Sequence, residues 1–216
     1  MPPCDTICRM QPRVFVVMPF GKKSVETKDG VKTLDYDALF SKLFSPALIA
    51  ADCQPFRADQ ESAAGDIRHD MFSELVTADA VLAEVSSPNA NVFYELGVRH
   101  GTASRGTFMV HGGWSNFRPF DLAPDRTFSY NGQIFLTGHE PDEPALQAEV
   151  VQLATTLRNA LERDRMTIGS PVFDNGVSDA FIHRMPPPDC DGRSKESLHQ
   201  VFGRWQARVR QQYYAL

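Results

Sequence analysis

No run of apolar residues in this 216-residue chain approaches the roughly 18 that a membrane span requires, so a transmembrane segment is not expected. The first residues, MPPCDTICRMQPR, lack the continuous apolar stretch of a secretory signal, and cytoplasmic residence is the expectation. Basic charge is not in excess: 22 Lys and Arg against 27 Asp and Glu give a net charge of −5, which argues against a large phosphate-backbone footprint on nucleic acid. Only four cysteines occur, Cys4, Cys8, Cys53 and Cys190, scattered and without a matching His or Cys pair. That spacing predicts reduced thiols and no metal site. What remains is ordinary globular composition, with 42% hydrophobic and 23% charged residues, enough for one generous domain or one domain with an extension.

Five short apolar runs read as strands: Val14 to Met18, Gln54 to Ala58, Ala80 to Val85, Thr107 to His111 and Gln133 to Thr137. The first and third look buried on both faces. Helical periodicity lies between them at Tyr36 to Ala51, Asp66 to Thr77 and Asn89 to Gly101, and again at Pro144 to Arg163. Pro46 either kinks or splits the first of these. Repeated alternation of strand and helix implies right-handed crossovers and an α/β architecture, a mostly parallel sheet with helices on both faces. The expected organisation is a tail over 1–12, an α/β domain over 13–165, and an irregular segment with a last helix over 166–216. That helix carries Leu198, Val201, Phe202, Trp205 and Val209 on one face, suited to docking on the core, a homo-oligomer contact or an adjoining domain.

In an open parallel sheet the ligand crevice lies at the carboxyl ends of the strands where strand order reverses. Two segments lead there. Met18 to Lys23 leaves the first strand, with Gly21 allowing close backbone approach and Lys22 able to meet a phosphate. Its connection onward to about Leu34 is long and reads as a lid loop. Ser86 to Glu95 leaves the third strand, offering Ser86, Asn89 and Asn91 as neutral hydrogen-bonding groups, or simply as caps. Asn91 is read as the N-cap of the following helix and Gly101 as its left-handed end. Glu95 then sits one turn from the N-terminus, where the macrodipole favours its ionised form. Arg57 and Asp59 end the second strand as ligand contacts or a rim ion pair. Phe20 and Tyr94 offer either base-stacking faces or core packing. Glu95 and Arg99 are spaced for a helix-surface ion pair, and His100 reads as structural.

The segments VFVVMPFGKK, LDYDALFSKLFSPA, PFRAD, DIRHDMFSELVTADAVLAEVS and NANVFYELGVRHG resemble bacterial domains related to nucleoside 2-deoxyribosyltransferases and TIR-like NAD glycohydrolases. A similar segment occurs in the N-terminal region of apoptosis-signal-regulating kinases. The resemblance spans about Val14 to Val110 and is most specific across PNANVFYELG. It implies a flavodoxin-like, doubly wound five-stranded sheet, to which the chain adds a C-terminal helical extension. It also implies that Glu95, in the Glu-Leu-Gly motif, is the catalytic nucleophile. Glu84 stands where relatives often carry Asp, and Pro88-Asn89-Ala90-Asn91 replaces the Asp-x-Gly-Thr approach.

The expected activity is N-glycosidic bond cleavage or transfer on a nucleotide, with NAD or a (deoxy)nucleotide as substrate. Glu95 is the catalytic group, and Phe20, Gly21, Lys22, Arg57, Asp59, Asn91 and Tyr94 form the substrate contacts. No metal or resident cofactor is required. The alternatives are a non-catalytic nucleotide-sensing or scaffold module and an assembly domain. A part in signalling or antiphage defence is what the family suggests.

Overall fold

The structure, a computed structural model, describes residues 11–58, 67–103, 105–117, 127–137 and 142–164, excepting the side chains at 67–70 and 163–164. The expected N-terminal tail lies outside these residues apart from 11 and 12, as does the C-terminal helix.

Strands β1 (Arg13–Val17), β4 (Gln54–Phe56), β5 (Ala80–Glu84), β6 (Thr107–Gly112) and β7 (Thr127–Tyr130) form one parallel sheet in the order β4-β1-β5-β6-β7. Counting only these five, the order is 2-1-3-4-5, that of a flavodoxin-like doubly wound sheet with its reversal between β1 and β5. Helices cover both faces because the central strands carry apolar side chains on both. Val14, Val16, Ala80 and Leu82 enter one core with Leu39, Phe44, Leu48, Leu153 and Leu157. Phe15, Val17, Val81 and Ala83 enter the other with Leu75, Val92 and Leu96. The first face is covered by α1 (Tyr36–Leu39), α2 (Ser45–Ala50) and α5 (Glu143–Asp164), the second by α3 (Ile67–Thr77) and α4 (Ala90–Thr102).

Three expectations are corrected. The fifth strand is Thr127–Tyr130, whereas Gly132–Phe135 is a 3-10 turn, started by the Asn131 carboxamide accepting from Gln133 N. Phe135 and Leu136 are nonetheless buried, and a short apolar run does not distinguish a strand from a buried turn. Second, the supposed lid loop is an antiparallel hairpin, β2 (Lys22–Thr27) with β3 (Gly30–Asp35). It reads as polar because only Val25 and Leu34 point into the core. A Leu34–Leu136 bridge and the Thr137 N to Thr33 O bond (2.8 Å) fasten it. Third, Pro46 does not break the helical path: it stands in the first turn of α2, which a π turn, Phe40–Phe44, joins to α1 with helical angles at both junctions. Proline has no N–H to give, and the wider turn, closed by Ser45 N to Phe40 O, shifts the bonding pattern just before it.

Candidate functional site

Beyond β1 the chain rises out of the sheet through buried Met18 to Phe20, which is 46% exposed. Gly21 follows at φ +66°, a conformation costing an L side chain about 1–2 kcal/mol, which is why glycine stands there. Asp37, in the first turn of α1, accepts from Gly21 N (3.2 Å) and from Arg57 Nη2 (2.8 Å). One carboxylate thus ties the loop after β1 to the residue after β4. Its pKa is lowered, first by the Gly21 N–H and then, against some desolvation, by Arg57. Arg57 is only 5% exposed, and its guanidinium carbon lies over the Phe20 ring at 5.0 Å and the Phe40 ring at 4.7 Å. A cleft of about 550 Å³ opens here, lined among others by Gly21, Lys22, Asp37, Phe40, Lys42 and Arg57. Lys22 lies 3.7 Å from Asp35, whose carboxylate also caps α1 at Ala38 N. Asp59 lies outside the described residues, and the carboxylate bound to Arg57 among them is Asp37, twenty residues away in sequence. No local spacing signals that pair.

At the carboxyl end of β5, Glu84 is 1% exposed and points to the α1 side. Its Oε1 accepts from Ser86 N (3.1 Å), from the Ser86 hydroxyl in a short contact, and from Tyr130 OH (3.0 Å). The Ser86 Oγ also accepts from Gly112 N (2.6 Å), so the hydroxyl offered as a hydrogen-bonding group is spent within the fold. The Tyr36 and Ser87 hydroxyls are bonded at 2.8 Å. Together these bonds pin the turn that delivers α4. The sequence offered Glu84 only as an odd residue at a strand end; that it is buried follows from β5 being the middle strand.

The N-cap of α4 is Asn89, not Asn91: its carboxamide oxygen accepts from Asn91 N and Val92 N. Asn89 satisfies two donors from outside the helix, which Asn91, itself helical and exposed, does not do. Gly101 does not end the helix. It continues to Thr102, and Ala103 follows in an extended conformation. Glu95 is therefore the sixth helical residue, past the first turn where the dipole acts. Its carboxyl is half-buried and has no hydrogen bond or ion pair among the described residues. Burial pushes its pKa from 4.5 up to about 7, contrary to the expectation of an ionised form favoured by the dipole.

Tyr94, beside it, is 63% exposed and meets Phe72 edge-on at 6.0 Å. Neither Phe20 nor Tyr94 is a core residue. The expected Glu95–Arg99 ion pair does not form. Arg99 is 2% exposed and turns under the sheet edge to donate to the carbonyls of Leu75 (2.9 Å), Ala78 (3.0 Å), Arg105 (3.1 Å) and Gly106 (3.3 Å). His100 is buried, and burial together with the Arg99 charge lowers its pKa to about 4, so it is neutral near pH 7.

Glu84, like Glu95, is raised from 4.5 to about 7 by burial, against the lowering effect of its Ser86 and Tyr130 bonds. Both carboxyls hold a proton more tightly when folded, so their contribution to stability is full below pH 4.5 and is lost as pH rises to about 7. Glu84→Gln is expected to flatten that decline, measured as urea midpoints across the same pH window. An unchanged slope would show that Glu84 ionises normally.

Among the described residues no group of three or more His, Cys, Asp and Glu is placed to hold a metal ion. No described helix is long and apolar enough to cross a membrane. No family model matches the chain, and no curated protein matches it. Among solved structures, it is similar to a flavodoxin-like domain from Synechococcus sp., at 12% identity and a TM-score of 0.38, over 70% of this chain and 98% of that one.

Proposed function

We propose that the crevice at the carboxyl edge of the sheet cleaves the N-glycosidic bond of a nucleotide through Glu95. The observation that carries this reading is a half-buried carboxyl on α4 with no partner among the described residues and a pKa pushed up to about 7 by burial, on the helix that follows the topological reversal of the sheet. A carboxylate kept out of ion pairs has its charge available for a substrate. When the C1′–N bond breaks, its electron pair leaves with the base and positive charge develops on the sugar. The Glu95 carboxylate stabilises that cation or bonds to C1′; water then adds its hydroxyl at C1′, displacing the carboxylate where the ester has formed, and its proton goes to the departed base. The likeness of PNANVFYELG to nucleoside 2-deoxyribosyltransferases and TIR-like NAD glycohydrolases supports the same role for Glu95.

The substrate contacts in this reading are the exposed rings of Phe20 and Tyr94, the exposed Asn91, and Gly21, Lys22 and Arg57 at the cleft. Incubating the wild-type protein with NAD and a panel of ribo- and deoxyribonucleotides, then separating free base by chromatography, tests it. Release of base is the expected result. Thermal stabilisation by a nucleotide without base release would instead favour a sensing module, and neither response would overturn the assignment of a nucleotide site.

A further inference from the structure

Phe20 has two unlike sides. Arg57 lies over one side of the ring at 5.0 Å, yet the residue is 46% exposed. Arg57 itself is held from below by Phe40 at 4.7 Å and from the side by Asp37 at 2.8 Å, so the guanidinium is fixed and 5% exposed. The exposed surface of Phe20 therefore lies away from the cation. Since the chain leaves β1 at Val17 and β1 pairs with β5, that surface stands on the same edge as the turn into α4.

A phenyl ring attracts a cation through the negative potential over its faces. Arg57 draws the π electrons of Phe20 towards itself, which weakens that potential on the outer face. A second cation stacked there would also feel the buried Arg57 charge through a ring that contains no water to screen it. An uncharged heteroaromatic ring keeps its dispersion and area gains and incurs neither cost. Asp37 reduces the effect without cancelling it, because its own side chain is 55% exposed and well solvated.

We propose that Phe20 is a stacking platform that selects an uncharged heteroaromatic base over a cationic one, because Arg57 already occupies its inner face. This rests on the nucleotide crevice of the preceding section and narrows its substrate class. A neutral purine or pyrimidine, or the adenine end of a dinucleotide, fits the platform; an oxidised nicotinamide ring does not.

Two ligand pairs that differ chiefly in ring charge test the selection: reduced against oxidised nicotinamide mononucleotide, and GMP against 7-methyl-GMP. Dissociation constants are measured calorimetrically for the wild type and for Phe20→Leu, an exposed position whose thermal midpoint confirms folding. The neutral member of each pair that binds is expected to bind about tenfold tighter to the wild type, with the ratio falling below about threefold in Phe20→Leu. Equal affinities, or a ratio that survives Phe20→Leu, would overturn the selection while leaving the crevice as a nucleotide site. If no member of either pair bound, and AMP did not bind either, the nucleotide site and the selection would fall together.

Discussion

Glu95→Gln is expected to lower base release at least about a hundredfold while leaving the protein folded and no less stable above pH 7. The two halves of that expectation separate a reactive carboxyl from a capping one. Glu95 has no hydrogen-bond partner among the described residues, so the amide strands no protein group. At pH above 7 the native carboxyl is ionised in a half-buried place that disfavours the charge, and the neutral amide removes that cost. A glutamate serving only the helix dipole would behave in the opposite way, losing about 0.3–1 kcal/mol on neutralisation with no catalytic consequence. The rate should also rise with pH through about 7 in the wild type, because it is the ionised carboxylate that meets the developing cation. Initial rates at several pH values, with unfolding midpoints for both proteins, check all three points.

Arg99→Lys is expected to cost about 3–5 kcal/mol of stability, the largest single loss among the substitutions considered. The guanidinium gathers carbonyls from the end of α3, from Arg105 and from Gly106, joining the approaches to β5 and β6. A lysine ammonium is a point charge with three donors and cannot reproduce the planar fork. At 2% exposure, water does not replace the lost bonds. Gly106 shows how tightly the knot is drawn. It sits at φ +71°, and a Cβ there would lie 2.9 Å from Arg99 Nη2. Urea unfolding measures the loss. A change below about 1 kcal/mol would mean that the carbonyls find other partners.

Strand and helix periodicity made most of the main sheet legible. The runs at Val14, Ala80 and Thr107 are strands because apolar segments inside a doubly wound sheet are buried on both faces, and that burial leaves a local mark in the sequence, while the run at Gln54 is a half-buried edge strand. The hairpin at Lys22 to Asp35 left no such mark. Its faces are mostly solvated, so only Val25 and Leu34 report the core. Gln133 to Thr137 failed for the converse reason, since Phe135 and Leu136 are buried from a 3-10 turn as fully as from a strand.

In the site, Phe20, Gly21 and Arg57 stood out because each follows a β-strand, and topology brings such positions to one edge, whereas Glu95 stood out by its motif and does not line the cleft at Gly21 and Arg57. What holds them there was not readable. Asp37 bridging Gly21 and Arg57, Tyr130 bound to Glu84, and Arg99 turned away from Glu95 to the Leu75 carbonyl are contacts between elements distant in sequence. Helix spacing alone favoured the wrong partner for Arg99, because the ion-pair rule presumes an exposed face and this one is buried.

The most direct test of Glu95 as the reactive group is free base released from one nucleotide by wild-type and Glu95→Gln proteins of matched thermal midpoint, assayed side by side. Release by the wild type and its loss in Glu95→Gln is the predicted result. Equal release by the two proteins, or none by the wild type from any nucleotide, would contradict it.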